Sequence, residues 1–131
     1  MDILARIDGF GIGTDIESIS RFRKLGRLKN NSFLNRIFTK NELDYCFSKK
    51  KAAPHLAVRY AAKEATVKAL SGIGRQIIDY KDIEIFNNKM GVPIVKINNK
   101  KLKNLQANVS LSHCRDKAIA FAIVIKSKAE R

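Results

Sequence analysis

The chain has 131 residues, 45% of them hydrophobic, which suits one compact domain with a real core and excludes an intrinsically disordered segment. It carries 26 lysines and arginines against 12 acids, a formal charge of +14, so it calls for an acidic partner: nucleic acid, anionic lipid, an acidic protein or a phosphate-rich ligand. No apolar run approaches the roughly 18 residues of a membrane span, and the acid-containing start, Met1 to Asp8, does not read as a secretory signal.

Ile7 to Gly13 reads as a strand whose glycines permit close backbone approach. Ile16 to Leu25 then places apolar residues at 16, 19, 22 and 25, one face of a helix. The other face carries Arg21 and Lys24, with Arg23 and Arg27 nearby: a solvated basic face or a docking surface. Asn30 to Phe38 is a short helix or turn. Thr39 and Glu42 have capping-box spacing, and Leu43, Cys46 and Phe47 give the buried side of the helix they start. Lys49 to Lys51 reads as its solvated end. Cys46 and Cys114 lack metal-ligand spacing and read as free thiols of a reducing cytoplasm.

Arg59 to Leu70 is the strongest helix signal, with Pro54 near its start and Gly72 as its stop. Ala61, Ala62, Ala65 and Ala69 make it slim. Glu64 and Lys68 share a face, either as a solvated ion pair or as part of a site with an upstream acid, Asp15. The loop Ser71 to Gln76 can bring backbone N–H groups and Arg75 near a phosphate. From Asp82 the period becomes two. Ile83 and Ile85, then Val92 to Ile97, flank a turn at Asn87 to Gly91, which predicts a hairpin. Lys100 to Leu105 is a polar connection or short helix. Val109 to His113 alternates, and a turn at Arg115-Asp116 leads into Ala118 to Ile125, a continuous apolar strand expected to be covered on both faces. Lys126 to Arg131 is expected to fray. Helices on a mainly antiparallel sheet in a single domain over 1–131, class α+β, is the expected architecture, with 1–9 a possible N-terminal extension.

Six stretches occur in order: Gly11-Ile12-Gly13-Thr14-Asp15-Ile16, Phe38-Thr39-Lys40-Asn41-Glu42-Leu43, Arg59-Tyr60-Ala61-Ala62-Lys63-Glu64-Ala65 with Lys68-Ala69, Gly72-Ile73-Gly74, Asp82-Ile83-Glu84-Ile85, and Val109-Ser110-Leu111-Ser112-His113. Together, from about Phe10 to about Ile125, they resemble the holo-(acyl-carrier-protein) synthase family, small bacterial 4′-phosphopantetheinyl transferases. The resemblance implies transfer of 4′-phosphopantetheine from coenzyme A to a serine of apo acyl carrier protein, releasing adenosine 3′,5′-bisphosphate, in fatty acid biosynthesis in the cytoplasm. It implies Mg²⁺ on Asp15 and Glu64, both also catalytic, and a homotrimer with sites between neighbouring subunits. It matches Lys68 to the family's catalytic lysine, and Arg21, with Arg27, to carrier-protein binding. Coenzyme A contacts fall on Lys68, Arg59, Gly72, Gly74 and His113.

The residue types suit that chemistry. Transfer at a diphosphate needs positioning and charge neutralisation more than a covalent protein group. Mg²⁺ typically takes one or two carboxylates plus phosphate oxygens and water, the count that Asp15 and Glu64 supply. Lys68, one turn beyond Glu64, reaches a phosphate oxygen as a point charge. The nucleophilic serine belongs to the partner. Its base is Glu64 through a metal-bound water, or a carboxylate of the partner. His113 is a structural histidine or a contact to coenzyme A; His55 reads as structural or surface. Two features depart from the family pattern. Its usual glutamate three residues after the metal aspartate is Ser18 here, leaving Glu17 as a third acid or a first-turn acid favoured by the helix dipole. About seven residues also precede the usual start. A nucleic-acid-binding module is the competing class, but there is no aromatic platform interleaved with basic residues and no recognition-helix motif. Intact Asp15, Glu64 and Lys68 argue against an inactive carrier-binding subunit.

Overall fold

The computed structural model describes residues 6–25, 31–76 and 79–128. Strand β1 (Ile7–Ser18) is followed by four helices, α1 (Ile19–Leu25), α2 (Ser32–Ile37), α3 (Lys40–Phe47) and α4 (Ala52–Gly72), and then by β2 (Ile83–Asn87), β3 (Pro93–Ile97), β4 (Leu105–His113) and β5 (Lys117–Ser127). The first and last strands meet: β1, β5 and β4 form a three-stranded antiparallel sheet in that order, and β2 and β3 form a separate hairpin. The class is α+β, as expected.

The helix borders follow local rules. Asn31 caps α2 by accepting from the N–H groups of Phe33 and Leu34. Thr39 and Glu42 complete the capping box of α3, each side chain bonding the other's backbone. Pro54 sits in the first turn of α4, where its missing N–H costs nothing. Gly72 is the last helical residue, and the positive φ that ends the turn falls on Gly74, at 72°.

α4 is the centre of the core. Its alanines at 61, 62, 65 and 69 are fully buried, and so are Ala118, Ala120, Ala122 and Val124 of β5 opposite. Small residues on both surfaces bring helix and sheet close, and β1 comes closest. A Cβ on Gly11 would stand 1.9 Å from the Ala69 carbonyl oxygen, and one on Gly13 would stand 2.0 Å from that of Ala65. A second part of the core joins Ile19, Phe22, Leu34, Phe38, Leu43 and Leu56, which seats α1, α2 and α3 on the first half of α4.

Three features differ from the sequence reading. β1 runs on to Ser18, so Ile16 pairs with Ile119 and is 61% exposed rather than facing a helix core. The pattern 16, 19, 22, 25 begins on the strand because β5 offers pairing partners as far as Lys117. β5 is covered on one face only: Ile119 and Phe121 stay exposed on the other, beside Phe10, Ile12 and Ile16 of β1. It also keeps its pairing to Ser127, into the stretch expected to fray, whereas Arg27 lies outside the described residues.

Gly13→Ala should destabilise the fold by about 3 kcal/mol, since the new methyl meets helix backbone that cannot turn aside. Gly9→Ala, with nothing within 4 Å of its added Cβ, should stay within about 0.5 kcal/mol of wild type. Urea unfolding of both variants measures the contrast.

Candidate functional site

The glycine contacts decide where the acids go. Along β1 the side chains alternate, so Gly11, Gly13, Asp15 and Glu17 share the face turned to α4. With the two glycines pressed on Ala65 and Ala69, the next residue on that face arrives beside Lys68. Lys68 Nζ donates to the Thr14 carbonyl oxygen at 2.9 Å and pairs with Asp15 Oδ1 at 3.4 Å. The Asp15 side chain is 13% exposed and that of Lys68 55%, so the amine opens to solvent over a sheltered carboxylate. A half-exposed pair of this kind adds on the order of 0–1 kcal/mol to stability, too little to explain the arrangement.

The other Asp15 oxygen, Oδ2, is buried with no N–H donor on it. Glu17 is pushed up to about 7, first by burial, then by its hydrogen bond to Asp15 and the Asp15 charge; Arg21 opposes this and Glu64 adds to it. Three carboxylates therefore crowd one corner of a strongly basic chain. Glu64 Oε1 accepts from Tyr80 Oη at 2.9 Å. Burial and the hydrogen bond to Glu64 push the Tyr60 and Tyr80 phenols up to about 12, so both remain donors. Gly72 lies one turn beyond Lys68, beside the Cα of Gly11, and continues the same side of α4.

Arg21 stands at the edge of this corner. It pairs with Glu17 at 3.4 Å, and its guanidinium lies over the rings of Phe22, Phe33 and Tyr60 at 5.7, 5.0 and 5.3 Å. The stacking holds the head in place while the side chain stays 49% exposed.

Arg59 and His113 are elsewhere. They line a cleft of about 430 Å³ between the start of α4, the β2–β3 turn and β4, with Tyr45, His55, Asn87 and Ser110. Arg59 is 3% exposed, donates to Asn87 Oδ1 at 3.0 Å and lies over the Tyr45 ring at 4.2 Å. Its Nε is buried without a hydrogen-bond partner. His55 is held below the ordinary histidine value by burial, then by the charges of Arg59, Lys49 and His113. The acid corner lies toward β1 and the basic cleft toward β4, the two outer strands of the sheet.

Residues 11–122 match the model of the 4′-phosphopantetheinyl transferase superfamily. A holo-[acyl-carrier-protein] synthase of Protochlamydia amoebophila is 46% identical over 117 residues, covering 86% of this chain and 95% of its own, and one of Chlamydia muridarum is 47% identical over 118, covering 87% and 93%. The chain belongs to the holo-[acyl-carrier-protein] synthase family. Among solved members, the Bacillus anthracis enzyme in complex with CoA (3′,5′-ADP) superposes with a TM-score of 0.73 at 30% identity, over 89% of this chain and 96% of that one. The Helicobacter pylori enzyme in complex with coenzyme A gives 0.73 at 30%, over 86% and 98%.

Asp15, Glu64, Lys68 and Gly72 thus form one group, and Arg59 and His113 a second. Tyr60, Tyr80 and Asn87 are not singled out from sequence, and His55, read there as structural or surface, lines the cleft instead. His55 and Arg59 at i and i+4 on one helix offered a signal; Tyr80 offered none, because its partner is sixteen residues away.

An anion in the cleft favours the protonated imidazole of His55. Pyrophosphate should therefore raise the His55 pKa, and its affinity should climb as pH falls through that value. Imidazole NMR with and without pyrophosphate checks this; a His55 titration unmoved by bound pyrophosphate would remove it from anion contact.

Proposed function

We propose that this chain is a holo-(acyl-carrier-protein) synthase that moves 4′-phosphopantetheine from coenzyme A to a serine hydroxyl of apo acyl carrier protein, leaving adenosine 3′,5′-bisphosphate. The observation that carries the reading is the acid corner itself: Asp15, Glu64 and Lys68 brought onto one opening by the β1–α4 contact, in a chain of this family.

The corner suits a divalent cation. Asp15 Oδ2 is buried with no N–H donor on it, Asp15 shares a hydrogen bond with Glu17, and positive charge relieves the repulsion among Asp15, Glu17 and Glu64. Mg²⁺ keeps waters and phosphate oxygens and takes only one or two protein carboxylates, a number this corner supplies. Asp15 and Glu64 would hold it, and when bound it neutralises charge on the diphosphate. Lys68 does the same as a point charge aimed from α4, where charge builds on the transferred phosphoryl oxygens. Glu64 serves as the base for the serine hydroxyl through an intervening water. Gly72 and Gly74 leave the end of α4 open for the diphosphate.

The basic cleft suits the other end of coenzyme A, which carries a phosphate on its ribose. Arg59, His55 and His113 supply donors there. Acid corner and cleft face different edges of one chain, so one coenzyme A is shared between neighbouring copies. The exposed stripe of Phe10, Ile12, Ile16, Ile119 and Phe121 supports this, because it is the kind of patch that association covers. Three copies closing around a threefold axis bury it. Arg21, half-exposed and held by its aromatic platform, recruits the acidic carrier protein to the mouth of the corner. Synthesis of fatty acids in the cytoplasm, the expected setting for this reaction, completes the reading.

Transfer assayed against Mg²⁺ tests it. Folded Asp15→Asn and Glu64→Gln should each lose turnover by orders of magnitude, and together little more, since they act as a unit. Lys68→Ala should lower the rate even at saturating Mg²⁺. Near-wild-type turnover in either amide variant would sink the assignment.

Sharing has its own test. Asp15→Asn and His113→Ala chains, each impaired alone, should regain activity on refolding together, in roughly one site in four by random assortment around a ring. A mixture no better than its components would place both groups within one chain.

A further inference from the structure

Glu64 is only partly sheltered by its own helix, and its carboxylate is gripped from outside it. The Tyr60 hydroxyl bonds it from α4 itself, and the grip from outside comes from Tyr80, which opens the short 3-10 turn Tyr80–Asp82 between α4 and β2. The ring of Tyr80 stacks on that of Tyr60 at 6.4 Å and 28°, one helical turn before Glu64. A phenylalanine would keep that stack; only the hydroxyl reaches the carboxylate.

The turn is anchored from its other side. Lys63, the neighbour of Glu64 in sequence, is fully buried and points into the protein. Its Nζ donates to the Tyr80 carbonyl oxygen at 3.0 Å and to that of Ile83, and pairs with Glu42 Oε1 at 2.8 Å. Glu42 also accepts from the N–H of Ile85 at 2.8 Å and that of Thr39 at 2.9 Å. Burying such a pair is costly in desolvation and seldom adds net stability, so its return lies in fixing one arrangement. What it fixes is the distance from α4 to the Tyr80 turn. Lys63 holds the backbone of Tyr80, and Tyr80 holds the side chain of Glu64.

We propose that Tyr80 is a positioning residue for Glu64: carried on a turn that Lys63 ties to α4, its hydroxyl holds Glu64 Oε1 and so fixes the orientation in which the carboxylate meets a divalent cation. This rests on the reading of Glu64 as a metal ligand. A hydrogen bond of this kind sets the orientation of a ligand before the metal arrives, and losing one typically weakens metal binding about 10–100-fold.

Mn²⁺ binding, followed by electron paramagnetic resonance with and without coenzyme A, tests the assignment on wild type, Tyr80→Phe, Glu64→Gln and the double variant. Tyr80→Phe should bind Mn²⁺ about 10-fold more weakly while melting as a cooperative fold. In transfer assays it should need correspondingly more Mg²⁺ for half-maximal rate and approach the wild-type rate at saturation. The double variant should bind no worse than Glu64→Gln alone, because the hydroxyl acts only through Glu64. Wild-type Mn²⁺ affinity in Tyr80→Phe, when Glu64→Gln has lost it, overturns the positioning role. So does a further loss in the double variant, or a rate deficit that saturating Mg²⁺ leaves in place. Failure of wild type to take up Mn²⁺, or full affinity in Glu64→Gln, overturns the metal-ligand reading instead and the inference falls with it.

Discussion

The close contact between β1 and α4 is the constraint on which the rest of the molecule depends. Gly11 and Gly13 lie where any side chain would run into the carbonyl oxygens of Ala69 and Ala65. Because strand side chains alternate, the face that holds these glycines also holds Asp15 and Glu17. Because helix side chains recur every three to four residues, the surface that holds Ala65 and Ala69 is flanked by Glu64 and Lys68. One packing decision therefore brings a strand acid, a helix acid and a helix amine to a single opening. A wider strand–helix spacing would leave each as an ordinary surface charge.

The distribution of charge is the second organising fact. A chain with a formal charge of +14 keeps a crowded group of carboxylates at one corner, and the crowding shows as a buried Asp15 oxygen with no N–H donor on it and a Glu17 that holds its proton to about 7. Such a corner is electrostatically unfavourable by itself. The basic excess of the whole chain favours polyanionic partners through its long-range field. The one buried ion pair, among those described, belongs to neither the corner nor the cleft. Lys63 and Glu42 tie α3, α4 and the start of β2 together, and α4 is held in register with the turn that carries Tyr80.

Local signals were readable in the sequence, and long-range ones were not. The capping box at Thr39 and Glu42, the alanine helix with Pro54 in its first turn, the hairpin at Ile83 to Ile97 and the glycine strand all stand where spacing put them. So does the Glu64–Lys68 side of α4, whose amine turns to Asp15 rather than to Glu64. Ile16 misled because its position satisfies both a helical and a strand period, and pairing with Ile119 decided between them. In β5 the apolar run hid an alternation of size: alanines turn to α4 while isoleucine and phenylalanine face outward. Tyr80 and Asn87 acquire their roles from partners that only folding brings near. The separation of Arg59 and His113 from the acids was equally invisible, since order along a chain does not say which sheet edge a group faces.

The central claim is that this corner transfers phosphopantetheine to a carrier protein. Intact-protein mass spectrometry of apo acyl carrier protein, incubated with the chain, coenzyme A and Mg²⁺, tests it most directly. The account predicts a carrier protein heavier by one phosphopantetheine on one serine, with adenosine 3′,5′-bisphosphate appearing in equal amount. A folded chain that binds coenzyme A and leaves the carrier protein at its original mass would contradict it.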